Sequence, residues 1–302
     1  MRHVSLARMM TTARHEISWW GRETANKVPA VTIYFWVIKI LCTTVGETAA
    51  DFLNTNLNLG LTNTTYIMAG LLIVTLFFQF RAHRYVPGIY WLAVVLISVV
   101  GTLITDNLTD NFGVSLETTT TVFSFALAAI FAAWYVSERT LSIHTIHTSR
   151  REIFYWAAIL FTFALGTAAG DLVAERLDLG YPVSALVFAV LIGIVTLVYA
   201  TFKLNAILTF WIAYILTRPL GASLGDYLSQ PSDDGGLGLG TVATSALFLV
   251  TIVSFVLFLT ISRRDQENRR PVRAGQRGAR NSLKGASSGH VGSDRGSAFP
   301  SK

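Results

Sequence analysis

The sequence predicts an all-α integral membrane protein, with eight transmembrane helices arranged as four parallel two-helix repeats in a pseudo-fourfold or pseudo-twofold bundle. Three observations carry that prediction. Hydrophobic residues make up 52% of the chain and charged ones 14%, with a mean hydropathy of +0.50. A soluble domain usually carries about a quarter charged residues. Eight stretches are long and apolar enough to cross or nearly cross a bilayer. Finally, one pattern occurs four times with fixed offsets: an aromatic residue and Trp, Gly ten residues after the Trp, and Asp fifteen residues after it. Composition alone does not hold four residues in step four times, so this is an internal repeat.

The elements follow in chain order. Residues 1–27 are polar and basic and lack the apolar region of a cleavable signal, which leaves the first span as an uncleaved signal. Spans are expected at about 28–46, 64–80, 87–105, 119–136, 152–169, 183–202, 204–220 and 241–262. The seventh is the weakest, because Arg218-Pro219 interrupts it. Paired, these spans give repeats at about 28–82, 83–140, 150–202 and 203–262. Residues 263–302 are rich in Arg, Gly and Ser and are expected to form a disordered cytoplasmic tail. The Trp-to-Trp spacings are 55, 65 and 55, so repeats one and three lie 120 residues apart, as do two and four. That spacing suggests a hairpin duplicated once and the pair duplicated again. Because each unit has two spans, all four point the same way about an axis along the membrane normal.

Charge sets the expected orientation. Of the 24 Lys and Arg residues, 21 fall before span one, between spans two and three, four and five, or six and seven, or after span eight. Both termini are therefore expected in the cytoplasm. The net charge of +6 then reflects topology and not nucleic-acid binding, and the basic tail reads as attraction to anionic lipid or to an unknown partner. The opposite connections hold 10 of the 18 acidic residues. Such a surface would concentrate cations at a mouth, unless the acids merely occupy loops from which bases are excluded. Cys42, the lone cysteine, lies inside the first span and reads as a small buried hydrophobe.

Within the motif, Trp36, Trp91, Trp156 and Trp211 fall near the cytoplasmic start of the odd spans, where anchoring or helix packing is the expected role. Gly46, Gly101, Gly166 and Gly221 each precede a small residue by four positions, the spacing that lets helices approach closely in a membrane. The alternative is a helix that stops at the Gly and unwinds toward the Asp. Asp51, Asp106, Asp171 and Asp226 would lie about 22 Å beyond the Trp, at the outer edge of the hydrocarbon. There they either cap turns or bind a cation.

Steps of four residues back from each Asp trace one helix stripe. The first step gives Glu47, Thr102, Thr167 and Ala222, the second Thr43, Ser98, Phe163 and Arg218, and the third Lys39, Val94, Ile159 and Tyr214. Arg218 stands above Asp226 on this stripe. Ionisable residues inside spans are costly and normally face a bundle interior or a water path. Lys39 is the deepest of them. It is either functional or an ion-pair partner of Glu47 or of another repeat's Asp. All six His residues fall outside the spans, and His144 and His147 alone make a weak metal site. No nucleotide loop, nucleophile elbow or zinc-hydrolase helix is present, so no cofactor is expected and an enzyme is the least favoured class.

With the four units in view, the chain resembles a bacterial family of membrane-anchored proteins built from four tandem two-span repeats, of the domain-of-unknown-function 347 type. The resemblance covers about residues 27–262 and is carried by Lys27-Val28-Pro29-Ala30-Val31-Thr32, Phe35-Trp36-Val37-Ile38-Lys39 and Gly46-Glu47-Thr48 in the first repeat. It implies architecture and a bacterial plasma (inner) membrane location, and no substrate. Repeats two to four lack the Lys and Glu of repeat one, so any site is asymmetric. The leading expectation is a transporter or channel for a small cation, a divalent metal or a proton-coupled ion. Its mouth would be formed by the four Asp residues, with Glu47, Lys39 and Arg218 tuning it. The competing class is a non-transporting membrane scaffold or sensor.

Overall fold

The computed structural model describes residues 26–265. The expected disordered tail, from residue 266 on, and the basic segment up to residue 25 lie outside the described residues. Eight long helices run in order: α1 (Ile33–Asp51), α2 (Leu61–Arg81), α3 (Pro87–Asp106), α4 (Leu116–Glu138), α5 (Ser149–Asp171), α6 (Tyr181–Phe202), α7 (Ala206–Ser229) and α8 (Thr241–Ser262). All eight are long and apolar enough to cross a membrane.

Local chemistry fixes where they begin. Side-chain oxygens of Thr32, Ser115, Thr148 and Asn205 accept from first-turn N–H groups of α1, α4, α5 and α7. Pro87 and Pro182 sit in the first turns of α3 and α6, where a missing N–H costs nothing. Gly60 and Gly180 precede α2 and α6 with φ of 73° and 74°, which a side chain would resist.

Odd and even helices do different work. In the odd helices 50–72% of the most apolar stretch is buried inside the protein, against 11–22% in the even ones. The odd helices therefore form an inner ring, and the even helices present apolar faces outward to lipid. Around the ring α1 packs on α3, α3 on α5, α5 on α7, and α7 back on α1. Each even helix leans on the odd helix of the next repeat: α2 on α3, α4 on α5, α6 on α7, α8 on α1. The repeats thus interlock, and they close around one axis with pseudo-fourfold character.

The motif glycines explain the closure. A Cβ on Gly46 would stand 1.8 Å from Ser98 Oγ, one on Gly101 2.7 Å from Phe163 Cβ, one on Gly166 2.3 Å from Arg218 Cγ, and one on Gly221 1.9 Å from Thr43 Oγ1. Each neighbour is the residue seven positions after the next repeat's Trp, so one contact recurs four times around the ring. The glycines are helical, and the chain does not unwind at them. Instead, a wider π-type turn begins directly after the Asp in three repeats, at Phe52–Asn56, Asn107–Asn111 and Leu172–Arg176. The fourth repeat differs. There α7 runs unbroken through Pro219 to Ser229, well past the expected end of the seventh span. Pro219 cannot donate to the Ile215 carbonyl, but its ring seats against Gly166, where the absent side chain leaves room.

The aromatic pairs close a second layer at the Trp end. Phe35 meets Trp91 at 5.6 Å, Tyr90 meets Trp156 at 5.5 Å, Tyr155 meets Trp211 at 6.3 Å and Phe210 meets Trp36 at 5.6 Å between ring centres. The Tyr90 and Tyr155 hydroxyls hydrogen-bond at 2.5 Å. The tryptophans are therefore packing residues between repeats. At the same end Lys27 N–H donates to the Ile146 carbonyl, Tyr85 N–H to Asn26, and Ala30 N–H to Asp265. Lys27 also forms a buried ion pair with Glu152 at 2.7 Å, and Gln79 donates to the other carboxylate oxygen at 3.2 Å. Replacing Glu152 by Gln keeps the shape and removes the charge. It should lower unfolding stability by about 1–3 kcal/mol, read as a lower thermal midpoint in detergent.

Candidate functional site on the bundle axis

The stripe of polar positions on the odd helices faces the axis. Arg218 of α7 is fully buried there. Its Nη2 faces Glu47 Oε2 of α1 at 2.9 Å, Thr167 Oγ1 of α5 at 2.6 Å, and the hydroxyl of Thr102 of α3. Nη1 reaches the Thr43 carbonyl at 3.5 Å. Thr102 also donates to Glu47 at 3.3 Å, and the Thr102 and Thr167 hydroxyls lie 3.4 Å apart. One group from each repeat thus meets at a single level. Three of them, Glu47, Thr102 and Thr167, occupy equivalent positions, while Arg218 comes from one turn earlier in its helix, where the equivalent residue is Ala222. Arg218 and Asp226 lie eight residues apart on the unbroken α7, and the ion-pair partner of Arg218 is Glu47 of α1. A planar guanidinium presents five donors in a fixed fork, and here it engages a carboxylate and two hydroxyls together.

Asp51, Asp106, Asp171 and Asp226 surround the axis at the other end. Asp226 is buried and the other three are half-buried. Each lies near enough to Glu47 to feel its charge, and near enough to at least one other Asp of the set. Asp110 and Glu175, from the π-type turns, add to the same field. Asp51 accepts from Gln230 at 3.4 Å, and none of Asp51, Asp106 and Asp171 caps the π-type turn that follows it. Among the described residues no group of three His, Cys, Asp or Glu side chains is placed to hold a metal ion. The carboxylates form an acidic cluster at this end of the ring.

Lys39 stands apart from this set. Its ammonium donates to the Tyr214 carbonyl at 2.9 Å and to the Thr217 hydroxyl, and lies 4.4 Å from the Tyr214 ring centre. Of the two roles open to it, the ion pair with Glu47 or an Asp is absent among the described residues. Arg218 occupies Glu47, and α7 supplies backbone and ring acceptors to Lys39 instead. Below Arg218 toward the Trp end, Phe163, Tyr214, Tyr90, Tyr155 and Phe35 fill the axis with almost no exposure.

Sequence reasoning placed Glu47, Arg218 and the four Asp residues on the axis, and it placed Thr102 and Thr167 on the stripe without giving them a role. It missed Thr217, which is off that stripe. It also missed the Lys27–Glu152 pair, whose partners lie 125 residues apart.

The fold and site define a class: a multi-pass all-α membrane protein whose four parallel repeats enclose a charged axis. Within that class, the chain belongs to the family defined by a Repeat of Unknown Function (DUF347), which matches residues 34–85, 89–140, 154–204 and 209–265. Every match begins two residues before a motif Trp, in register with the repeat. No curated protein and no solved structure matches the chain.

Proposed function

We propose that this protein is a gated transporter for a small cation, with the Glu47–Arg218 pair as its gate. It would sit in a bacterial inner membrane with its basic connections and both termini in the cytoplasm. The carrying observation is that a buried arginine–glutamate pair, tied to threonines of the two remaining repeats, lies on the axis beneath four aspartates. The acidic cluster would form a vestibule that raises the local concentration of cations. A cation reaching Glu47 competes there with Arg218. Once displaced, Arg218 must find other acceptors, which couples occupancy to rearrangement of α7. With no group of three such side chains placed to hold a metal ion among the described residues, the cargo at the vestibule is a proton or an ion that keeps its water shell.

A second reading, a membrane scaffold or sensor, is favoured by the filled axis at the Trp end, where the aromatic layer leaves no passage. In it the basic tail would bind anionic lipid or a partner protein. Flux decides between the two. Proteoliposomes containing the full chain should pass at least one of protons, monovalent or divalent cations. Glu47→Gln should lower that flux by about tenfold or more, equivalent to about 1.4 kcal/mol in the barrier. Absence of flux for every ion, from protein that elutes as a single folded species, makes the scaffold the conclusion.

A further inference from the structure

A cavity of about 620 Å³ opens beside the ring at the Trp end, away from the axial carboxylates. It is lined by Trp36 and Ile40 of α1, Ile192 and Tyr199 of α6, and Ala213 and Thr217 of α7. Most of its wall is apolar, and the motif Trp that borders it is half-buried, whereas Trp91, Trp156 and Trp211 are 2–4% exposed. Ser142, His144, Thr196, Tyr199 and Thr209 also reach the wall, and Thr217 differs from them in touching a buried basic side chain. Its hydroxyl accepts from Lys39 and donates to the Tyr214 carbonyl at 2.8 Å. Behind this wall stand two fully buried basic side chains, Lys39 and Arg218, and among the described residues Arg218 has an ion-pair partner and Lys39 has none. Lys39 has three donors, and two acceptors engage them.

We propose that this cavity binds an apolar molecule ending in a carboxylate, such as a free fatty acid, drawn from the bilayer. The apolar wall takes the chain. The head lies at Thr217, whose hydroxyl turns from the Tyr214 carbonyl to donate to the carboxylate while still accepting from Lys39. The bound anion offsets the cost of holding a charge on Lys39 at a fully buried position. A mostly apolar pocket of this volume with a few polar groups is the form that small-molecule sites usually take. The inference is independent of cation transport, since Lys39 does not touch the acidic vestibule.

Photolabelling of the full chain in lipid nanodiscs with diazirine-bearing dodecanoic acid tests it. Label should fall on the peptides of α1, α6 and α7 that line the cavity. Dodecanoate should displace it at about one-tenth the concentration that methyl dodecanoate needs, as expected for a charge-assisted bond. Ala213→Trp should block labelling by filling the site, and Thr217→Val should erase the preference for acid over ester. Label spread over the outer faces of all the even helices would overturn the proposal. So would equal competition by acid and ester in the unaltered protein, a comparison that requires no variant to fold.

Discussion

Arg218→Met should destabilise the protein by about 3–5 kcal/mol, the usual cost of leaving one partner of a buried ion pair without the other. The guanidinium is the hub of four repeats, and its removal leaves the Glu47 carboxylate in the interior with the Thr102 hydroxyl as its remaining side-chain donor. Thermal unfolding of purified protein in detergent, followed by tryptophan fluorescence, gives the measurement. The double variant Arg218→Met with Glu47→Gln should recover most of the loss, because no uncompensated charge remains. A single variant as stable as the parent would mean that Glu47 does not depend on Arg218, and the gate would lose its physical basis.

Gly46→Ala should prevent the ring from closing at the α1–α3 seam. The new methyl would stand 1.8 Å from Ser98 Oγ and 2.5 Å from its Cβ, so a helix has to move. Overpacking of this kind costs about 1–3 kcal/mol, and more where backbone is shifted. Size-exclusion chromatography should show a smaller folded fraction and a lower unfolding midpoint. Adding Ser98→Gly should restore part of the loss, since the Ser98 carbonyl carbon then remains at 3.0 Å. Gly70→Ala on the outward-facing α2 is the control. Nothing lies within 4 Å of its added methyl, and helix propensity predicts a neutral or stabilising change. Equal damage from both substitutions would show that the clash at the seam is not what limits assembly.

These two sites differ in how far the sequence revealed them. The four glycines were visible because the same small residue recurs at one offset from each Trp, and close helix approach is the ordinary use of such spacing. Their partners were not visible. The residue opposite each glycine is different in every repeat (Ser98, Phe163, Arg218, Thr43), so no second pattern accompanies the first. Glu47 and Arg218 were legible as ionisable residues within spans, which restricts them to the interior. Their pairing was not, because periodicity orders residues along one helix and says nothing about rotation between helices 171 positions apart. For the same reason the alternative of an ion pair for Lys39 could not be decided, and its ammonium meets a carbonyl and a hydroxyl of α7. The π-type turns also escaped prediction. They place Asp51, Asp106 and Asp171 at the last α-helical position before a wider turn, where a simple helix end was expected.

The sequence by itself determined the number of spans, the fourfold repeat, the parallel sense of the units and the level of each motif residue along its helix. All four follow from hydropathy and from spacing along the chain, which are local properties. Only the tertiary structure decided that the repeats close into one ring, that even helices lean on the next repeat, that Arg218 takes Glu47, and that a cavity opens beside Thr217. Those outcomes depend on which side chains meet across helices far apart in sequence, where shape and charge compete for the same few positions on the axis.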